Sequence, residues 1–246
     1  MENDEHIIQR IEDILGGLSD NFRILDHQVD VDLQMEYFEF SRNQEKPQSI
    51  ESVINAESEL YDEGVADESK RSLLVSLASI EKPEAYRIIE RFVPLAKPEL
   101  RDWAIMAKLE SRMLLETTFS DESQIFISTG LGGREGKLRY FVAIFSESEA
   151  EFSETQKRLV ISEIEMALGK TDGQLESVSY HHNYLAFLLL LPISVAVKDP
   201  IKTAIDECNS LAPFVKDDFI ITNVKVLSDK EVDDIISGKS EYDIEE

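Results

Sequence analysis

Few residues of this chain are spaced for chemistry. The stretch most like a phosphate-holding loop is Gly130-Leu-Gly-Gly-Arg-Glu-Gly136, followed by Lys137. Such a loop needs four residues between its glycine and the Gly-Lys pair, a Ser or Thr next, and then a helix whose N-terminus holds the anion. Here five residues intervene, Leu138 occupies the Ser/Thr place, and a strand pattern follows. The segment reads as a flexible hairpin tip, with Arg134 and Lys137 as candidate contacts for a partner. His181-His182 offers two imidazoles, but successive strand residues point to opposite faces, so the pair does not chelate one ion. Cys208 falls near the end of a helical pattern, where the negative end of the dipole raises a thiol pKa and disfavours a nucleophilic thiolate. Carboxylates abound, but fifty acids pair by chance everywhere, so no acid/base dyad stands out. No catalytic residue, metal ligand or cofactor is assigned.

The remaining candidates are cations. Residues 69–118 hold nine Lys/Arg against seven Asp/Glu, whereas residues 2–68 hold four against nineteen, in a protein of net charge −25. Arg87 and Arg91 are i, i+4 neighbours, as are Lys108 and Arg112; Arg101 precedes Lys108 by seven residues and shares its face. One reading makes these five a docking stripe for an acidic protein surface. Against it stand intrahelical pairing, Arg112 with Glu116 or Arg87 with Glu84 or Glu90, and docking of the chain's own acidic segment 2–68 onto the stripe. The pairing and self-docking readings are favoured.

Composition limits the partners. A pI near 4.5 and an acidic balance on both sides of residue 118 argue against nucleic acid, whose affinity comes largely from Lys/Arg displacing counterions. The longest uncharged apolar run, Tyr184–Val197, is interrupted by Pro192 and falls short of the ~18–20 residues that span a bilayer. With one cysteine and an acidic N-terminus that lacks an apolar h-region, a cytoplasmic protein is expected. The sequence is silent on oligomeric state.

The elements that must position these residues change character near residue 118. Before it, a short helix is expected over 6–15, an undecided stretch over 25–40 carrying Tyr37, Phe38 and Phe40, and an exposed loop over 41–48. Helices follow over 49–61, 68–80 and two further segments opened by Pro83 and Pro98, each within Lys-Pro-Glu. The last, 99–116, is apolar around most of its circumference and is expected to be covered on two sides. After it, strands are expected over 124–128 and 138–146, paired as a hairpin, then at 176–181, 184–191 and 219–227. Helices begin at Ser153 and Ser228 with capping boxes to Gln156 and Glu231, and at Asp199-Pro200 as cap and first residue.

Residues 66–117 resemble HEAT-type helical repeats, on the phrase Lys97-Pro-Glu-Leu-Arg-Asp-Trp-Ala-Ile-Met-Ala107, which is similar to the repeat's proline, arginine, small-residue pattern. The resemblance implies a scaffold for protein contacts without chemistry of its own. The C-terminal order, β-β-α-β-β-α-β-α, contains β-α-β-β-α-β, which resembles the ferredoxin-like arrangement. The expected protein is α+β: a helical HEAT-like module over residues 1–118, packed on a ferredoxin-like antiparallel sheet domain over 119–246. Its expected function is a non-catalytic protein–protein interaction or regulatory module. A small-ligand site or enzyme in the groove of the sheet domain, and an acidic mimic of nucleic acid that occupies a basic protein, are the alternatives.

Overall fold

The computed structural model describes residues 22–45, 49–119 and 125–238. The helix expected over 6–15, His6 and the tail after 238 lie outside the described residues. The chain divides at Ser128/Thr129 into two compact units, and its class is α+β.

The first unit is helical. Strand β1 (Phe22–Ile24) pairs in parallel with β2 (Ile125–Ile127). This corrects the expected hairpin between 124–128 and 138–146: the first of those strands finds its partner about a hundred residues upstream, a pairing that no turn signal announces. The undecided stretch over 25–40 is helix α1 (Val31–Asn43), which also absorbs the start of the expected 41–48 loop. Asp30, one of the acids that breaks up the apparent alternation of Val29, Val31 and Leu33, is the N-cap: its carboxylate accepts from the amides of Asp32 and Leu33 at 2.9 and 3.3 Å. Ser49 caps α2 (Ile50–Asn55), which tightens into a 3-10 turn at Ala56–Leu60.

Three longer helices follow: α3 (Asp67–Ala78), α4 (Pro83–Phe92) and α5 (Pro98–Phe119). Pro83 and Pro98 each occupy the first helical position, where a missing N–H has no intrahelical acceptor to lose. Leu74, Leu77, Ile88, Ile89, Leu100 and Met106 form the core of the unit, each 1% exposed or less. Trp103 receives the edges of Tyr37 and Phe40, at centroid distances of 5.1 and 5.4 Å. The two-sided cover expected for the all-round apolar α5 thus includes α1 from within its own unit.

The second unit is a sheet with helices. Its strands are β3 (Gly133–Arg134), β4 (Lys137–Ser146), β5 (Gln174–Tyr180), β6 (Tyr184–Pro192) and β7 (Val215–Thr222). The helices are α6 (Glu154–Gly169), α7 (Lys198–Leu211) and α8 (Asp229–Ile236). Strands run β5-β6-β4-β7, every neighbour antiparallel, with β3 a short addition to β4. Numbered by chain order without β3, that is 4-1-3-2, the split βαβ arrangement of ferredoxin-like domains. Alternate residues of β4 and β6 serve two cores. Val142, Ile144, Leu185, Phe187 and Leu189 meet α6 and α7. Phe141, Ala143, Phe145, Tyr184 and Ala186 meet Leu131, Leu227 and Val232 of α8. Central strand β6 is therefore apolar on both faces, and α8 contributes to the cover of its second face.

Three local expectations are corrected. The last strand spans 215–222, not 219–227: the Thr222 hydroxyl accepts from the Val224 amide at 3.1 Å and turns the chain, leaving Val224 and Val226 exposed. Asp199 lies inside α7, which starts at Lys198, so it is not the cap. The glycine-rich loop is not a free hairpin tip. Leu131 donates its amide to the Asn223 carbonyl at 2.9 Å, and a Cβ added to Gly130 would lie 1.7 Å from the Val224 carbonyl oxygen. The turn proper is the two-residue link Glu135-Gly136, both at positive φ (53° and 76°) as a type I′ hairpin requires.

Candidate functional site

The five candidate cations fall on α4 and α5, and the structure separates them. Arg91 reaches Glu57 at 2.7 Å, Lys108 reaches Glu90 at 3.6 Å, and Arg112 bonds Glu116 at 2.8 Å. Arg87 and Arg101 are exposed and form no ion pair among the described residues. Of the expected intrahelical pairs, Arg112 with Glu116 is present and those of Arg87 are not. Of the stripe, Arg91 alone among the described residues pairs with the acidic segment, at Glu57; Glu36 and Glu63 of that segment reach Arg71 and Lys97, outside the stripe, at 3.2 and 3.6 Å. The acids are partly to largely exposed, so each bridge contributes only about 0–1 kcal/mol.

Lys108 and Arg112 line a cleft of ≈ 80 Å³ with Asp26, His27 and an apolar floor of Ile24, Leu25, Val93, Ile105 and Leu109. The i, i+4 spacing on α5 sets the two cations one turn apart on the same wall. The hydrogen bond that Arg112 donates to Glu116 leads in holding its guanidinium above the usual range, against desolvation, with Tyr86 and Asp26 adding to it. Lys108 also lies 5.9 Å from the ring centre of Tyr86. A cleft with two cations on its wall and aliphatic carbon at its base suits a carboxylate attached to an apolar body.

In the sheet unit, Arg134 and Lys137 flank the turn between β3 and β4. Lys137 is buried, with its Nζ 3.2 Å from Asp172, while Arg134 is half exposed and 3.7 Å from Glu176. Arg139, which no sequence pattern singles out, makes a two-pronged bond to Glu176 and donates to the Leu131 carbonyl at 2.7 Å. The Arg139 hydrogen bond is the first cause that holds the Glu176 carboxyl below the usual range. Cys208, on α7, is buried in the core, and its thiol is pushed up to about 11. Burial is the main cause, with Glu163 and Glu207 adding to it, whereas the sequence pointed to the helix dipole.

His181 and His182 follow the last residue of β5, in the link to β6, so the expected strand alternation does not apply to them. His182 is exposed. His181 stacks on Tyr184, ring centres 4.2 Å apart and planes within 4°, with Nδ1 2.6 Å from Asp229 Oδ1. Its Nε2 faces Ser179 Oγ at 3.1 Å. The Tyr184 hydroxyl donates to the same Asp229 oxygen. Sequence reasoning missed this cluster, because Asp229 follows Ser179 by fifty residues and looks like part of a helix cap. Among the described residues, no group of three or more His, Cys, Asp or Glu side chains is arranged for a metal ion, and no helix is long and apolar enough to cross a membrane.

No family model and no curated protein matches the chain. Among solved structures it is similar to a chain from Deinococcus radiodurans R1 that is provisionally named a transposase. The two share 13% identity over 44% of this chain and 94% of that one, with a TM-score of 0.35. A likeness that distant carries no functional argument.

Proposed function

We propose that the helical unit is a protein-docking module that captures an acidic, partly apolar segment of a partner. The observation that carries this reading is the cleft walled by Lys108 and Arg112 over Ile105 and Leu109. Arg101 lies on the same face of α5, about 10 Å along the axis at 1.5 Å per residue, and Arg101 and Arg87 are exposed and form no ion pair among the described residues. In a protein of net charge −25, an acidic partner needs a local cationic patch to approach at all. The mutual packing of α3, α4 and α5, in the segment that resembles a HEAT unit, supports a scaffold role.

The test is anisotropy with a fluorescent peptide of Glu and Leu at low salt. Saturable binding is expected, weakening as salt rises and falling at least fivefold in Arg101→Glu/Lys108→Glu. The melting temperature should move little, because Arg101 is exposed and the partly exposed Lys108–Glu90 bridge contributes only about 0–1 kcal/mol. Failure of the peptide to bind, or equal binding by the double variant, would refute the reading.

A further inference from the structure

We propose that Ser179, His181 and Asp229 form a nucleophile relay on the sheet unit, which accepts acyl groups from activated esters at the Ser179 hydroxyl. The contacts are Ser179 Oγ to His181 Nε2 at 3.1 Å and His181 Nδ1 to Asp229 Oδ1 at 2.6 Å. Each histidine nitrogen faces the partner that acyl-transfer chemistry requires. A carboxylate on Nδ1 fixes the proton there, so Nε2 presents its lone pair to the serine hydroxyl and accepts its proton. This relay lies outside the docking cleft and does not depend on that reading.

The arrangement is held by ordered elements. Ser179 lies near the end of β5 and His181 just beyond it, where the His181 amide donates to the Tyr184 carbonyl at 3.0 Å. Asp229 is the first residue of α8, whose start is set by the reciprocal Ser228–Glu231 capping box. The imidazole cannot swing freely, because it lies flat on Tyr184, itself 3% exposed. The Tyr184 hydroxyl bonds Asp229 and is the first of the interactions that hold its carboxyl below the usual range, so the carboxylate stays ionised.

A purely architectural role accounts for only part of this. Asp229, His181 and Tyr184 suffice to tie α8 to the sheet, and the Ser179 hydroxyl adds nothing to that tie. Ser179 is exposed, on a strand that among the described residues pairs only with β6, so a substrate carbonyl can approach it from that edge.

The chemistry balances with water as the only co-reactant. Ser179 Oγ attacks the ester carbonyl carbon as its proton passes to His181 Nε2. The carbon–oxygen bond to the leaving group breaks, and the departing oxygen takes that proton. Water then attacks the acyl-serine, gives its proton to Nε2, and releases the acid as the proton returns to Ser179. An exposed nucleophile leaves its oxyanion facing solvent, so base assistance, typically 10²–10⁴-fold, is the main gain. The substrate class is therefore esters with good leaving groups rather than peptide amides.

The experiment treats the full chain with a fluorophosphonate probe and locates the adduct by peptide mass spectrometry, with p-nitrophenyl acetate hydrolysis in parallel. The expected result is one adduct on Ser179, absent in Ser179→Ala, whose fold circular dichroism should show intact. Labelling should fall at least about 100-fold in His181→Ala and at least about tenfold in Asp229→Asn, where the tautomer is no longer fixed. Because His181→Ala or Asp229→Asn can also loosen α8, the melting temperature of each variant is measured beside its labelling rate. Absence of a Ser179 adduct, or undiminished labelling in a folded His181→Ala variant, would each overturn the proposal.

Discussion

Tyr37→Phe tests the core of the helical unit by removing a single oxygen. The ring is fully buried, and its hydroxyl donates to Glu110 Oε2 at 2.6 Å, while Ser41 donates to Oε1 of the same carboxylate at 2.7 Å. Phenylalanine keeps the edge-on packing against Trp103 and removes only the bond. A hydrogen bond to a charged group is worth about 1.5–3 kcal/mol. Glu110 is half-buried and retains Ser41, so water can replace part of what is lost, and the lower half of that range, about 1.5–2 kcal/mol, is expected. For a unit of this size the melting point should drop by about 5–10 °C. The assay is urea unfolding followed by fluorescence of Trp103, the only tryptophan, 5.1 Å from the Tyr37 ring. The denaturant slope should stay constant while the midpoint falls. A cycle with Glu110→Gln should show coupling of at least about 0.5 kcal/mol. Burial first, then Glu110, holds the Tyr37 pKa well above its ordinary value. Its contribution is therefore complete below the unfolded value of about 10 and is lost as pH rises through the folded value. A loss under about 0.5 kcal/mol, or no coupling, would mean that this network does not anchor α1 to α5.

Three more outcomes follow from the sheet unit. Gly130→Ala should cost at least about 3 kcal/mol by thermal melting, because backbone rather than a flexible side chain blocks the new methyl; a neutral result would show that the loop does not pack against the 223–224 segment. Glu176→Gln should cost about 1.5–3 kcal/mol at neutral pH, since it takes the charge from the two-pronged bond to the largely buried Arg139. A depressed carboxyl stabilises above its unfolded value of about 4.3 and loses that effect as pH falls through the folded value, so the gap between variant and parent must close in acid. A gap that persists unchanged at pH ~3 would contradict this assignment. Cys208 should react with Ellman's reagent only as fast as the unit opens, since its thiol is buried and pushed up to about 11; prompt reaction of the folded chain would refute that burial.

What could be read in advance was whatever the chain writes locally. Both Lys-Pro-Glu segments start helices, and both expected capping boxes, Ser153 with Gln156 and Ser228 with Glu231, are formed. In each, one residue's chemistry acts on amides within the next turn, so spacing alone suffices. The sheet order followed from the alternation of helical and strand patterns under the rules for split βαβ units. The failures are non-local. Asp30 looked like a break in a strand until the helix it caps was known, and β2 looked like half of a hairpin because β1 lies so far upstream. The Ser179–His181–Asp229 contacts depend on where α8 lands against the sheet, which no spacing within either element records.

The change of charge along the chain now has a physical account. The acids at 36, 57 and 63 are drawn from the acidic segment and meet bases at 71, 91 and 97, so part of the contrast between 2–68 and 69–118 is spent inside the helical unit. Arg71 is more than an ion-pair partner. Its guanidinium lies 4.7 Å over the Trp103 ring, and its carbonyl accepts from the indole N–H at 3.2 Å. Neutralisation and core packing thus meet at one side chain, and the acidic segment is secured where α1 covers α5. Arg87 and Arg101 stand outside that scheme: neither forms an ion pair among the described residues, and neither belongs to the buried core. Two such exposed cations contribute little to folding. They are the charges that the proposed recognition of an acidic surface would use.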